Sequence, residues 1–191
     1  MPTRDEALKL MQSWVDDAGL RKHMLAVEAA VRWYARRYGA DEELWGLAGL
    51  LHDLDWEKYP DEHPHRGVIQ LRADGYPEEV IDAVLAHAYP DRSDVEPVTD
   101  LQKVLCACDE LSGLVYACCL VRPNGIDDLT PKSVVKKLKD KAFAAGVSRE
   151  EVARGMELIG MERSEHIQNV IDGLKTVAAD LGIRAQDLTR A

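Results

Sequence analysis

Aromatic residues make up only 6% of the chain, with a single Phe, and strand-like alternation of apolar and polar positions is scarce. Sheet-built folds are therefore not expected. No run of about eighteen apolar residues occurs, so no membrane span is expected. Positive charge is also short: Lys and Arg total 24 against 34 Asp and Glu, for a net charge of −10. A general nucleic-acid binder usually carries a basic face, so no polymer of that kind is expected as a partner. A local basic pocket for a small anion is still allowed. Asp5, Glu6, Asp16 and Asp17 interrupt any apolar core near the N-terminus. No signal peptide is expected, and a cytoplasmic location is.

Cysteine is confined to one stretch, "VLCACDELSGLVYACCLV", which holds Cys106, Cys108, Cys118 and Cys119. The spacings are not the paired two-residue gaps of zinc ribbons. One continuous helix could not wrap a tetrahedral ion with them. They read better as small core residues in a reducing compartment.

What is present is helical periodicity. The chain has 191 residues, 46% apolar and 30% charged, which suits one domain or one domain with an appended subdomain. "RDEALKLMQSWV" spaces Leu8, Met11 and Trp14 or Val15 on one face. "LRKHMLAVEAAVRWYARRYG" does the same with His23, Val27, Ala30, Val31 and Tyr34, and Gly39 is a fitting stop. Asp41 can cap "EELWGLAGLLHD". Pro64 starts a short helix that Gly75 ends, and Pro77 opens "PEEVIDAVLAHAY". "PDRSDVEP" is polar and turn-rich, and mobility is expected there. A long apolar helix follows from Val98 to Val121. Thr130-Pro131 restarts a basic helix bearing Lys132, Lys136, Lys137, Lys139 and Lys141. Ser148 to Glu151 fits a capping box, opening one last helix toward Leu181. An all-α fold is expected.

The chemistry gathers around "GLLHDLDWEKYPDEHPHRG", Gly49 to Gly67. It holds three of the six histidines, His52, His63 and His65. A lone histidine on an apolar face is more often a hydrogen-bonded core residue than a ligand. Here His23, His52-Asp53, His63, His87 and Asp109 fall on five separate elements, several of them apolar where the polar residue appears. A buried carboxylate without a partner costs several kcal/mol. One shared ion cluster would satisfy all of them.

His23, then His52-Asp53, then Asp109 in the context "CDELSGL" resemble the signature of the HD-domain superfamily, a helical fold of metal-dependent phosphohydrolases. The resemblance covers roughly residues 20 to 125. "EHPHRGVIQL" is similar to the His-Pro-x-x-Gly element of the members that hold two metals, and "AVLAHAY" to the helix supplying their next histidine. The resemblance thus implies six metal ligands, His23, His52, Asp53, His63, His87 and Asp109. By analogy Asp53 bridges, with His23, His52 and Asp109 on one side and His63 and His87 on the other. Ala88 follows His87 where the cyclic-dinucleotide branch has paired histidines, so that substrate is not expected. Residues 1–125 would form the HD-type domain, with 126–191 a helical extension packed on it and not independent.

The implied activity is hydrolysis of a phosphoester, in a nucleotide or other small phosphorylated metabolite, by metal-activated hydroxide. Imidazole with carboxylate suits one or two ions of Fe, Mn, Zn, Co or Ni. Lys58, on the loop after Asp53, is a candidate catalytic partner for phosphate, and Asp55 or Glu57 a candidate proton carrier. Arg21, Arg66 and Lys136 are candidate substrate clamps. Each also reads as ordinary surface charge. Two other functions stay open: a di-iron oxygenase with the same ligands, and a non-enzymatic metal-holding module. Trp14, Trp33, Trp45 and Trp56 suit either a core or a homodimer interface.

Overall fold

A computed structural model describes residues 1–189 of the chain. Among them the chain forms eleven α-helices and no strand. Local chemistry sets most helix starts. Thr3 and Glu6 form a capping box ahead of α1 (Arg4–Trp14). Asp17 caps α2 (Ala18–Tyr38), and Gly39 closes it in the left-handed conformation at φ 66°. Asp41 accepts the Glu43 and Leu44 amides to start α3 (Glu42–Leu51). Two short helices follow, α4 (His65–Ala73) and α5 (Glu78–His87). Thr99 and Gln102 box the start of α6 (Asp100–Leu120). Thr130 caps α7 (Pro131–Leu138), with Pro131 in its first turn.

The C-terminal part departs from the expectation of one helix. It divides into α8 (Arg149–Ile159), α9 (Arg163–Lys175), α10 (Ala178–Leu181) and α11 (Ala185–Leu188). Gly160 at φ 60° ends α8, and the Glu162 carboxylate accepts two amides to start α9. A glycine that turns left-handed and a new cap two residues later outweigh a continuous apolar stripe. The basic helix is also shorter than expected: α7 stops at Leu138, before Lys139 and Lys141.

One buried apolar cluster runs through the chain. Ile167, Val170, Ile171 and Leu174 of α9 join the same core as Val27 and Val31 of α2 and Leu105 and Leu111 of α6. All four cysteines are unpaired thiols, three of them buried in that core. No helix among the described residues is long and apolar enough to cross a membrane. Glycines let the helices close tightly. A Cβ on Gly49 of α3 would stand 2.8 Å from Glu28 Cα of α2. A Cβ on Gly173 of α9 would stand 2.8 Å from Ala30 Cα of the same α2. Glu28 itself is buried, held by Arg4 at 2.6 Å and Arg32 at 2.8 Å, which ties α1 and α2 together.

A polar thread crosses this core. Trp33 donates to Asn169 Oδ1 at 3.3 Å, and Asn169 donates to the Tyr34 hydroxyl at 3.3 Å. His166 Nε2 donates to the Ala107 carbonyl at 3.0 Å. Its Nδ1 is then bare and accepts the Tyr34 hydroxyl at 2.6 Å. Burial pushes the His166 imidazole down to about 4, against the favourable Ala107 bond. The unfolded chain, with an ordinary histidine near 6.5, binds the extra proton first. Stability from this group is therefore complete above that value and is lost as pH falls toward the folded one. Denaturant titration of wild type and His166→Gln tests this. The stability advantage of wild type should shrink by about 2 kcal/mol between pH 7 and pH 5. An advantage that does not change with pH would contradict it.

Candidate metal centre and its cavity

The helices that pack most closely carry the polar groups to one place. His23 stands in the second turn of α2. His52 caps the end of α3, one turn after the Gly49 contact, and Asp53 follows it. Asp109 lies midway along α6, and His87 ends α5. His63 immediately precedes Pro64, which leads into α4. The six converge in two sets, His23 with His52 and Asp109, and Asp53 with His63 and His87.

Asp53 joins the sets. Its Oδ2 faces His23 Nε2 at 3.7 Å and His52 Nε2 at 3.4 Å. Its Oδ1 faces His63 Nε2 at 3.6 Å and His87 Nε2 at 3.7 Å. Asp109 Oδ1 lies 3.0 Å from His23 Nε2 and 3.3 Å from His52 Nε2. The imidazoles are oriented from behind. His52 donates Nδ1–H to the Gly49 carbonyl at 2.9 Å, and His87 donates to the Val84 carbonyl at 2.5 Å. His63 donates to Asp55 Oδ1 at 2.7 Å. With the proton on Nδ1, each ring leaves a bare Nε2 facing the centre. The Nε2 atoms of His63 and His87 are nevertheless 3.2 Å apart, as are those of His23 and His52. Opposed lone pairs at that distance repel unless a cation or proton stands between them. Four such nitrogens and two carboxylates are a donor set for a divalent transition metal.

The electrostatics agree. Burial pulls the His52 imidazole down, but Asp53 and Asp109 outweigh it and hold it well above the ordinary value. Burial pushes the Asp53 carboxyl up, and the His52 charge with bonds from His52 and His87 holds it well below the carboxylate range. Asp109 is likewise lowered: burial opposes, and His52 and His23 prevail. Without a metal, these two carboxylates favour a proton on His52, so binding a metal there must release it.

All of the six groups but the buried His52 open into a cavity of about 360 Å³. Its walls hold groups that sequence reasoning missed: Arg92, Glu110, Glu151 and Arg154. Glu110 stands in "CDELSGL" and Glu151 in the Ser148 to Glu151 cap, but neither pattern marks a side chain that faces a cavity, and Arg92 and Arg154 belong to no motif. The Glu110 carboxyl is pushed up to about 7 by burial and by Asp109, against a bond from the Ser148 amide. The expected helpers lie elsewhere. Lys58 donates to the Ser13 carbonyl at 2.9 Å, beside the Trp14 ring. Arg21 closes the end of α1, donating to Val15 at 2.6 Å and Gln12 at 2.9 Å. Arg66 pairs with Glu62 at 2.7 Å, and Lys136 is an exposed residue of α7. None of these four lines the cavity. Glu57 accepts the Asp16 and Asp17 amides. Asp55 is fully buried and orients His63 while accepting the Gly67 amide at 2.6 Å, so it is a positioning residue. The segment after Pro90 is pinned as well: Arg92 donates to the Pro60 carbonyl at 2.5 Å and stacks on Trp56 at 5.1 Å, and His65 donates to the Arg92 carbonyl at 3.0 Å.

An all-helical scaffold around a histidine and carboxylate centre defines a metal-binding class. A family model for the HD domain matches residues 20–114, a span that contains all six converging groups. The chain belongs to the HD-domain superfamily, whose members are mostly metal-dependent phosphohydrolases. No curated protein matches the chain.

His63 and His65 are two residues apart but face different surroundings, one buried at the centre and one exposed. His63→Ala should lose bound metal, read as metal per chain by elemental analysis, while His65→Ala should keep it. Asp55→Asn should weaken metal affinity by about 10- to 100-fold, as loss of an orienting partner does. Equal metal content in all three proteins and wild type would refute the assignment.

Proposed function

We propose that the protein hydrolyses a phosphoester of a small phosphorylated metabolite, a nucleotide or another, with one or two divalent transition-metal ions held by His23, His52, Asp53, His63, His87 and Asp109. The observation that carries this reading is Asp53, whose two oxygens address two different histidine pairs. Family membership supports it. A metal held there supplies Lewis acidity and a nucleophilic hydroxide at neutral pH.

The chain's own residues do the rest. Asp53 fixes the separation of the two halves of the centre. His52, His63 and His87 are locked by their Nδ1–H bonds, so little reorganisation is needed during turnover. Arg92 and Arg154 supply positive charge to the cavity for an anionic substrate. Leu20, Trp56 and Val147 add apolar wall. Lys58 has no part, because its ammonium is engaged at Ser13. The cation for the phosphoryl oxygens comes instead from the centre and the arginines.

The test is a panel of nucleotides and sugar phosphates with Mn, Co, Ni and Fe added separately, with and without oxygen. Phosphate should be released without oxygen. Asp53→Ala should lose metal and at least about 100-fold in rate, as removal of a principal electrostatic group does. Lys58→Ala should stay within about twofold, the usual range for a surface change. Turnover that requires oxygen would overturn hydrolysis in favour of oxygenation.

A further inference from the structure

The matched family region ends at residue 114, yet the cavity does not. Gly146, Val147, Glu151 and Arg154 line it alongside His23 and Asp109. We propose that residues 140–154 are the selecting wall of the site, and that it takes the phosphate monoester of a small polyhydroxylated alcohol. This rests on the phosphohydrolase reading and adds the class of its leaving group.

The wall is built rather than draped. The Arg149 guanidinium donates to the carbonyls of Asp140 at 3.0 Å, Ala144 at 2.6 Å and Val147 at 2.8 Å, and also to that of Phe143. One planar cation thus gathers the whole turn. The Ser148 amide donates to Glu110 Oε2 at 2.9 Å, which ties the turn to the residue after the ligand Asp109. The Ser148 hydroxyl accepts the Glu151 amide at 3.2 Å and caps α8. Farther along, a Cβ on Gly155 would stand 2.7 Å from Ala107 Cα, so α8 lies tight on α6. Glu151 and Arg154 therefore project from an anchored helix. At the other end, a Cβ on Gly113 would stand 3.7 Å from both His23 Nδ1 and Val147 Cγ2. The wall thus reaches the flank of a metal ligand.

Charge selects the class of ligand. Beyond the six ligands, the cavity holds carboxylates Asp91, Glu110 and Glu151 and guanidiniums Arg92 and Arg154. The signs are nearly balanced, and Arg154 lies 3.8 Å from Asp91. A second phosphate would meet the carboxylates. A nucleobase would need both ring faces covered, and this wall offers little flat apolar surface for that. A hydroxyl both donates and accepts, so a row of hydroxyls can satisfy carboxylates and guanidiniums together. The one aromatic wall residue, Trp56, already carries Arg92 at 5.1 Å and meets His63 edge-on at 5.0 Å. The volume, about 360 Å³, is near the small end of the roughly 300–1,000 Å³ range of ligand pockets.

The experiment uses the full chain loaded with Mn. It compares kcat/KM for a hexitol phosphate, a nucleoside monophosphate and phenyl phosphate in wild type, Glu151→Gln and Arg154→Met. Metal content is checked in each, since neither side chain is a ligand. Wild type should prefer the hexitol ester, and each variant should cut that preference about 10- to 100-fold, mostly through KM, the cost of unpairing a charged hydrogen bond. Calorimetric binding of the matching hexitol phosphonate, which is not hydrolysed, gives a readout independent of turnover, and Glu151→Gln should weaken it by the same factor. Preference for phenyl phosphate or the nucleotide in wild type, or an undiminished preference in both variants, would overturn the proposal. Absence of turnover on every ester, with phosphonate selectivity intact, would instead overturn the hydrolase reading alone.

Discussion

Everything in this molecule turns on two pairs of imidazole nitrogens, 3.2 Å apart within each pair, that the two oxygens of the Asp53 carboxylate address separately. Nδ1–H bonds hold three of those rings, so their lone pairs cannot turn away. A site of this kind is tolerable only with positive charge at its centre. In the chain alone, a proton favoured on His52 by Asp53 and Asp109 supplies part of it, and a divalent cation would supply it for both pairs. The fold is the means of holding that arrangement. Gly49 lets α3 press on α2 one turn before His52, and the same glycine's carbonyl orients the ring. A single close approach thus sets both helix spacing and ligand geometry.

Around this rigid centre the chain places a different kind of wall. The six converging groups come from helix interiors, helix ends and the turns beside them, where packing leaves little freedom. The rest of the cavity lining comes from α6 and α8 and from two segments, around Arg92 and before α8, where backbone carbonyls are gathered by arginines. Arg92 and Arg149 play the same part, each pinning a segment without regular structure by bonds to main-chain oxygens. Such segments can change sequence without disturbing the core, which suits them to choosing substrates.

The six converging residues were legible because their signal is a short motif of fixed order. His52-Asp53 follows an apolar helix, and His23, His63, His87 and Asp109 take their places by resemblance to a known pattern. The cations were not. Lys58, Arg21, Arg66 and Lys136 were chosen for nearness in sequence to the ligands, yet long side chains settle on whatever acceptor lies within reach. For Lys58 and Arg21 these are the carbonyls at the end of α1, far away in sequence from Asp53. Asp55 reads from the sequence as a candidate proton carrier on the loop after Asp53. It is buried, because an amide and an imidazole from beyond Pro60 satisfy both of its oxygens. His166 was passed over, since nothing in its neighbourhood shows that Tyr34 and the Ala107 carbonyl await it.

Sequence alone determined the helical class, most of the helix starts and the identity of the six converging residues. Periodicity, capping hydroxyls and a short ordered motif are properties of near neighbours along the chain, and they survive without knowledge of the fold. Tertiary structure decided which oxygen of Asp53 faces which histidine, which arginines reach the cavity and that a segment from beyond the ligands closes it. Those outcomes depend on distances between residues far apart in the chain. Such distances are set by how closely helices pack, and a few glycines and buried ion pairs control that.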